Sequence, residues 1–192
     1  MRKIKGFEWM ILLFNIIYLL IFTFLFLGRK NYEFLLYIGV VAFFLVFISL
    51  LHLKYNFNYF VLIGLSLWGL LHMFGGYFIV GEHVLYGYQI FPFLRYDMFV
   101  HAFGFGFATL FSYYILKPNL KEDCSKTGIS ILLIFIGMGL GAVNEIVEFI
   151  AVLLIPQTGV GGYENTMWDI VFNTFGAILA VIWINLKKSP AQ

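Results

Sequence analysis

Apolar stretches of membrane-spanning length recur along the whole chain, at roughly 8–27, 33–53, 58–80, 97–116, 127–155 and 166–186. A helix rising 1.5 Å per residue needs about 20 such residues to cross about 30 Å of hydrocarbon. Lipid leaves no water for unpaired backbone groups, so only helices and closed barrels can span it. The runs are continuous rather than alternating with period two, which argues for helices and against a barrel. Turn and charge signals separate them: Gly28-Arg29-Lys30-Asn31, Lys54 to Asn58, Gly81 to Arg95, Lys117 to Lys126, and Pro156 to Asn165. The expectation is an all-α polytopic membrane protein, with residues 1–192 forming a single domain of six transmembrane helices.

Composition agrees. Of 192 residues, 62% are hydrophobic and only 11% charged, against about 25% charged in soluble domains. One core of this size could not hide so much apolar surface. Soluble enzymes, secreted disulfide scaffolds and disordered tails are excluded. The net charge of +2 comes from loops, and no basic run is dense enough for nucleic acid. The single cysteine, Cys124, reads as a loop thiol in a reducing compartment. Met1-Arg2-Lys3-Ile4-Lys5 is shaped like the start of a signal peptide, but a long apolar run without an A-x-A site follows. An uncleaved first helix fits better. No P-loop or dinucleotide fingerprint occurs, so no nucleotide cofactor is expected.

Lysine and arginine set the expected orientation. With the N-terminus inside, Arg2, Lys3, Lys5, Lys54, Lys117, Lys121, Lys126, Lys187 and Lys188 are cytoplasmic, and Arg29, Lys30 and Arg95 lie outside. That bias of nine against three among the 12 basic residues places both termini in the cytoplasm. Gly137-x-x-x-Gly141 and Ala102-x-x-x-Gly106 put small residues on one face of helices five and four, which should make both central, tightly packed elements. Helices one and two carry almost no polar residues and should be peripheral.

Ionisable groups in a bilayer cost about 2.5–3.5 kcal/mol each on insertion scales. The candidates are His72 in helix three; Arg95, Asp97 and His101 at the start of helix four; Asn144, Glu145 and Glu148 in helix five; and Asp169 and Asn173 in helix six. Helix direction places all of them in the outer half, leaving the inner half essentially without polar groups. His101, Glu145, Glu148 and Asp169 should line one cavity open to the outside. Simpler readings exist for each: a packing histidine at His72, a local pair for Asp97 and His101, helix-start hydrogen bonding for Asp169 and Asn173. Glu145 and Glu148 are the hardest to explain this way, because two carboxylates one turn apart need a cation or a shared proton. Trp168, Trp183 and Tyr163 read as interface anchors, and His83 as solvated. Gly75-Gly76 and the Gly81–Arg95 loop could form a lid or an inert connector.

Three motifs, Arg95-Tyr96-Asp97-x-x-x-His101, Asn144-Glu145-x-x-Glu148 and Asp169-x-x-x-Asn173-x-x-Gly176, resemble those of the YjdF-like bacterial and archaeal inner-membrane proteins. These are distantly similar to the VanZ-like proteins associated with glycopeptide resistance. The resemblance covers roughly residues 58 to 185. It implies a multi-pass protein of a prokaryotic plasma membrane and brings no settled activity with it.

Three functions compete on these residues. The first is an enzyme dependent on a divalent metal (Zn, Mn, Mg or Fe), held by Asp97, His101, Glu145, Glu148 and Asp169. In it Glu145, Glu148 and His101 are catalytic, and His72, Arg95, Asn144 and Asn173 support them. Its substrate would be a lipid or isoprenoid-linked molecule at the outer leaflet. The second is a non-catalytic subunit or lipid-binding scaffold, and the third a proton-coupled transporter. In every case the lipid bilayer is the partner. The topology has a direct test: with Cys124 removed, a cysteine at position 159 should label from outside and one at 121 only from the cytoplasm. The reverse pattern would contradict the orientation.

Overall fold

The computed structural model describes residues 4–121 and 123–187. It contains six helices, α1 (Gly6–Arg29), α2 (Tyr32–Tyr55), α3 (Tyr59–Tyr77), α4 (Tyr96–Leu116), α5 (Lys126–Leu154) and α6 (Tyr163–Leu186). All six are long and apolar enough to cross a membrane, and each begins and ends within three residues of its expected bounds. The ends follow capping chemistry. The side chains of Asn31, Asn58 and Ser125 accept hydrogen bonds from the first-turn amides of Phe34, Phe60 and Gly128. Lys30 and Asn56 close α1 and α2 in the left-handed conformation.

The helices alternate in direction. Arg29 donates to the Tyr77 carbonyl at 2.5 Å, and Gly159 N–H donates to Glu33 Oε2 at 2.7 Å. These bonds gather the α1–α2, α3–α4 and α5–α6 connections at one end, here the distal end. The helix ends near the chain termini meet at the other, the terminal end, where Asn185 donates to Ser130 Oγ. Arg2, Lys3 and Lys188, part of the basic bias, lie outside the described residues. The long α3–α4 connection forms two antiparallel ribbons, β1 (Ile79–Val80) with β2 (His83–Val84) and β3 (Gln89–Phe91) with β4 (Leu94–Arg95). Gly81, at φ 64°, makes the first turn. His83 is exposed there, as expected.

Packing separates two groups of helices. Aromatic side chains join α1, α2 and α3 through Tyr18, Phe22, Phe26, Phe34 and Tyr37, closed by Met73. Small residues join α4, α5 and α6. As expected, α4 and α5 pack tightly through their small residues, and the helix they pack against is α6. The backbones come closest between α4 and α6: a Cβ on Gly176 would strike the Ala102 carbonyl, and one on Gly106 would lie 3.2 Å from the Gly176 oxygen. Gly137 packs against Thr109 and Ala177, and Gly141 against Asn173. The stripes of α4 and α5 therefore converge on α6, whose own Gly176-Ala177 and Ala180 face inward.

A correction concerns polarity. The terminal half holds buried polar groups from the helices expected to be merely greasy. His52 Nε2 of α2 lies 3.3 Å from Glu8 Oε1 of α1. Asn15 donates to Ser66 Oγ at 2.7 Å and accepts from the Tyr18 hydroxyl at 3.1 Å. Single polar residues in apolar helices show no periodic partner, and only the folded arrangement pairs them.

Replacing Gly176 with Val should abolish or strongly lower the yield of folded, monodisperse protein in detergent, because backbone rather than a side chain opposes the new atoms. Gly139→Val, where a Cβ meets nothing within 4 Å, should be tolerated. Equal behaviour of the two variants in melting and size-exclusion profiles would contradict this packing.

Candidate metal centre

His101 stands at the middle of the candidate site, buried, one turn into α4. Asn173 of α6, fully buried, presents its amide oxygen to His101 Nδ1 at 3.0 Å. With the amide oriented so, Nδ1 carries the ring proton and Nε2 is left with its lone pair. Three carboxylate oxygens face Nε2: Asp97 Oδ1 at 3.5 Å, Glu148 Oε1 at 4.0 Å and Asp169 Oδ1 at 4.0 Å. Glu145 Oε1 lies on the other side, 3.8 Å from Nδ1. Four carboxylates from α4, α5 and α6 thus surround one imidazole.

Local periodicity makes this arrangement. Asp97 and His101 are four residues apart in α4, as are Asp169 and Asn173 in α6, so each pair shares a helix face. Gly141 lets the Asn173 side chain press against α5, which brings Glu145 and Glu148 to the same depth. Two asparagines brace the acids. Asn144 donates to Glu148 Oε1 at 2.8 Å. Asn165 donates to Asp169 Oδ2 at 2.5 Å and to Asp97 Oδ2 at 3.3 Å. Asn165 was missed because the expected loop ran through it. Helix α6 starts at Tyr163, so Asn165, Asp169 and Asn173 form one continuous i, i+4, i+8 stripe.

Hydrogen bonding leaves inward atoms unmatched. Among the described residues, Asp169 Oδ1 is buried without a hydrogen-bond donor and the Asn173 amide nitrogen without an acceptor, and the Glu145 oxygens make no hydrogen bond of good geometry. Buried polar atoms are ordinarily satisfied, and an unmatched acceptor costs about 1–3 kcal/mol or more when charged. A cation would satisfy several of them together. Asp97, His101 and Asp169 form one set of converging ligand atoms, and His101, Glu145 and Glu148 another, with the atoms of each set within 4.8 Å of one another. Oxygen-rich donors with one imidazole suit Zn, Mn, Mg or Fe. Asn173 holds the imidazole as outer partners of metal-binding histidines do. The residues therefore fit a divalent ion.

The other expected participants lie around this core. Arg95 caps the start of α4 at its distal edge, half-buried, with Nε lacking a hydrogen-bond partner among the described residues. His72 does not touch the acids. Its ring lies among Phe34, Tyr37 and Tyr86, and Nδ1 is hydrogen-bonded to the Tyr86 hydroxyl. Burial, with the charges of Asp97 and Glu148 nearby, holds the Tyr86 phenol well above its ordinary range, so it stays protonated. The expected convergence of His101, Glu145, Glu148 and Asp169 is met, and Glu148 also lines a cavity beside α2. Glu33, also unanticipated, is a loop anchor through Gly159.

Asn165→Ala removes the amide that Asp97 and Asp169 share. In the presence of chelator this variant should lose roughly 1–3 kcal/mol of stability, the usual cost of an unmatched buried polar group. An unchanged melting temperature would show that Asn165 does not brace the acids.

A family profile described as predicted membrane protein (DUF2238) matches residues 10–189. No curated protein and no solved structure matches the chain. The family match agrees with the membrane character of the resemblance drawn from the motifs, and nothing in it supports the likeness to VanZ. By a match over nearly its whole length, the chain belongs to the DUF2238 family of predicted membrane proteins.

Proposed function

We propose that this multi-pass membrane protein is a divalent-metal-dependent enzyme of a prokaryotic plasma membrane. It hydrolyses a lipid or isoprenoid-linked substrate at the extracytoplasmic leaflet. The observation that carries the reading is the convergence of four carboxylates on the buried His101. Burying several carboxylates without compensation costs several kcal/mol per ion, and one imidazole cannot balance four of them. The orientation rests on the basic residues. Lys5, Lys54, Lys117, Lys121, Lys126 and Lys187 fall at the terminal end, and Arg29, Lys30 and Arg95 at the distal end. The single domain 1–192 is part of this proposal.

In this reading His101 Nε2, Asp97, Asp169 and Glu148 hold the ion. When bound, it supplies Lewis acidity, polarising a phosphoryl or carbonyl oxygen and lowering the pKa of water. Glu145, 3.8 Å from His101 Nδ1, serves as the general base: it takes a proton from the attacking water and returns it to the leaving oxygen. Asn173 fixes the imidazole, Asn144 fixes Glu148, and Arg95 faces the anionic part of the substrate. His72 supports the wall through Tyr86.

A proton-coupled carrier is the second reading, favoured by one observation. The polar groups Glu8, His52, Asn15 and Ser66 in the terminal half are what a route through the inner leaflet requires. Proton flux into vesicles, lost in His52→Leu with metal content intact, would favour it over hydrolysis.

The enzyme reading is tested by metal content together with melting. Purified protein should contain a stoichiometric divalent ion, and a strong chelator should lower its melting temperature by roughly 5–10 °C, as expected for loss of a ligand at 100 times its Kd. Glu148→Gln should lower metal content at least tenfold and abolish hydrolysis of a lipid panel while remaining folded. A metal-free wild type indifferent to chelator, or a fully active Glu148→Gln, would contradict the enzyme reading. A scaffold would instead keep or gain stability when the charge is removed.

A further inference from the structure

The arrangement around His101 leaves one buried carboxylate over. Asp97 Oδ1, Glu148 Oε1 and Asp169 Oδ1 all face Nε2, at 3.5, 4.0 and 4.0 Å, so a single ion on that nitrogen answers these three. Glu145 stands on the other side of the ring, 3.8 Å from Nδ1. The Nδ1 proton is directed at Asn173 Oδ1 and is not available to Glu145. The Glu145 side chain is only 8% exposed. Asn144 and Thr166 come near its oxygens, yet among the described residues they receive no hydrogen bond of good geometry. An ionised carboxylate buried in this way calls for a cation of its own.

Ligand spacing separates two positions. An ion with bonds of about 2.0–2.2 Å draws its ligand atoms to within about 4.4 Å of one another. The atoms here approach that limit in two sets, Asp97, His101 and Asp169 in one and His101, Glu145 and Glu148 in the other, each within 4.8 Å. The imidazole has one free lone pair, at Nε2, and binds one ion. The second position is left with Glu145 and Glu148, three residues apart on one face of α5. Glu148, near both Nε2 and Glu145, belongs to both positions. Two carboxylates completed by water suit a hard ion such as Mg or Mn, rather than zinc with its three or four protein ligands. Charge agrees. Against four ionised carboxylates, one divalent ion with Arg95 at the distal edge leaves the site negative. A second ion turns it positive, the sign that an anionic phosphoryl group requires.

We propose that the cluster is a two-ion centre, in which Glu145 and Glu148 hold a second, hard divalent ion beside the one at His101, and that the loaded site takes the phosphoryl group of a phosphate ester. This second site rests on the reading of the cluster as a metal centre and adds a ligand set and a substrate class to it. Glu148 bridges the two positions. Glu145 binds through one oxygen, and its other oxygen remains the base. In the hydrolysis, the water oxygen bonds to phosphorus as the P–O bond to the lipid alcohol breaks. The proton passes from that water through Glu145 to the leaving oxygen.

The test is equilibrium dialysis of the full-length protein in detergent against Mn, with metal content per chain and the electron paramagnetic resonance spectrum read together. The expected result at saturation is two Mn per chain with the exchange-coupled spectrum of a carboxylate-bridged pair. Glu145→Gln should hold one Mn per chain, with the simple hyperfine spectrum of an isolated ion. Inorganic phosphate should alter the coupled spectrum of the wild type. One Mn per chain in the wild type would overturn the second ion and leave the single-ion reading standing, whereas none would end both. Two uncoupled ions, both retained in Glu145→Gln, would put the second outside the cluster and overturn the proposal. A coupled pair indifferent to phosphate would overturn the phosphoryl assignment. Should Glu145→Gln fail to fold, the stoichiometry and coupling of the wild type decide alone.

Discussion

An excess of buried negative charge governs this protein. Asp97, Glu145, Glu148 and Asp169 meet around His101 inside the distal half of a bundle built for hydrocarbon. In so poor a dielectric, like charges at these distances cannot all persist without a compensating cation or shared protons. Two asparagines donate to Glu148, Asp97 and Asp169, and a third orients the ring. Among the described residues, Asp169 Oδ1 receives none.

Close backbone approach makes the cluster possible. In lipid no hydrophobic force drives helices together, and small residues allow the contact that dispersion and polar bonds reward. Gly176 against Ala102, Gly137 against Ala177, and Gly141 against Asn173 draw α4, α5 and α6 into one unit. The aromatic group of α1, α2 and α3 packs beside it without filling the space between α2 and α5. The cavity beside α2 and the cluster are thus two consequences of one division of labour, with small residues where charge must converge and large rings where a wall must stand off.

Much of this was legible in the sequence. Helix number and bounds follow from apolar run length, because the bilayer fixes how long a span must be. The i, i+4 pairs Asp97/His101 and Asp169/Asn173 announce shared faces, and helix direction sets their depth. Other features were hidden for identifiable reasons. Asn165 fell in a segment expected to be loop, so its place on the acidic stripe went unseen. Glu8 and His52 sit 44 positions apart on different helices, and no local spacing connects them. The glycine stripes showed that α4 and α5 would pack closely without naming the partner, which is α6 for both. The cavity beside α2 has no sequence signal at all, since it reflects where two apolar faces fail to meet.

Anomalous scattering from crystals grown with Mn or Zn tests the central claim most directly. A peak bounded by His101 Nε2 and the carboxylates of Asp97, Glu148 and Asp169, absent from crystals of Glu148→Gln, is the predicted result. No peak at the cluster in well-ordered crystals, or density only at exposed sites such as His83, would contradict the account, leaving the carboxylates to be held by shared protons alone.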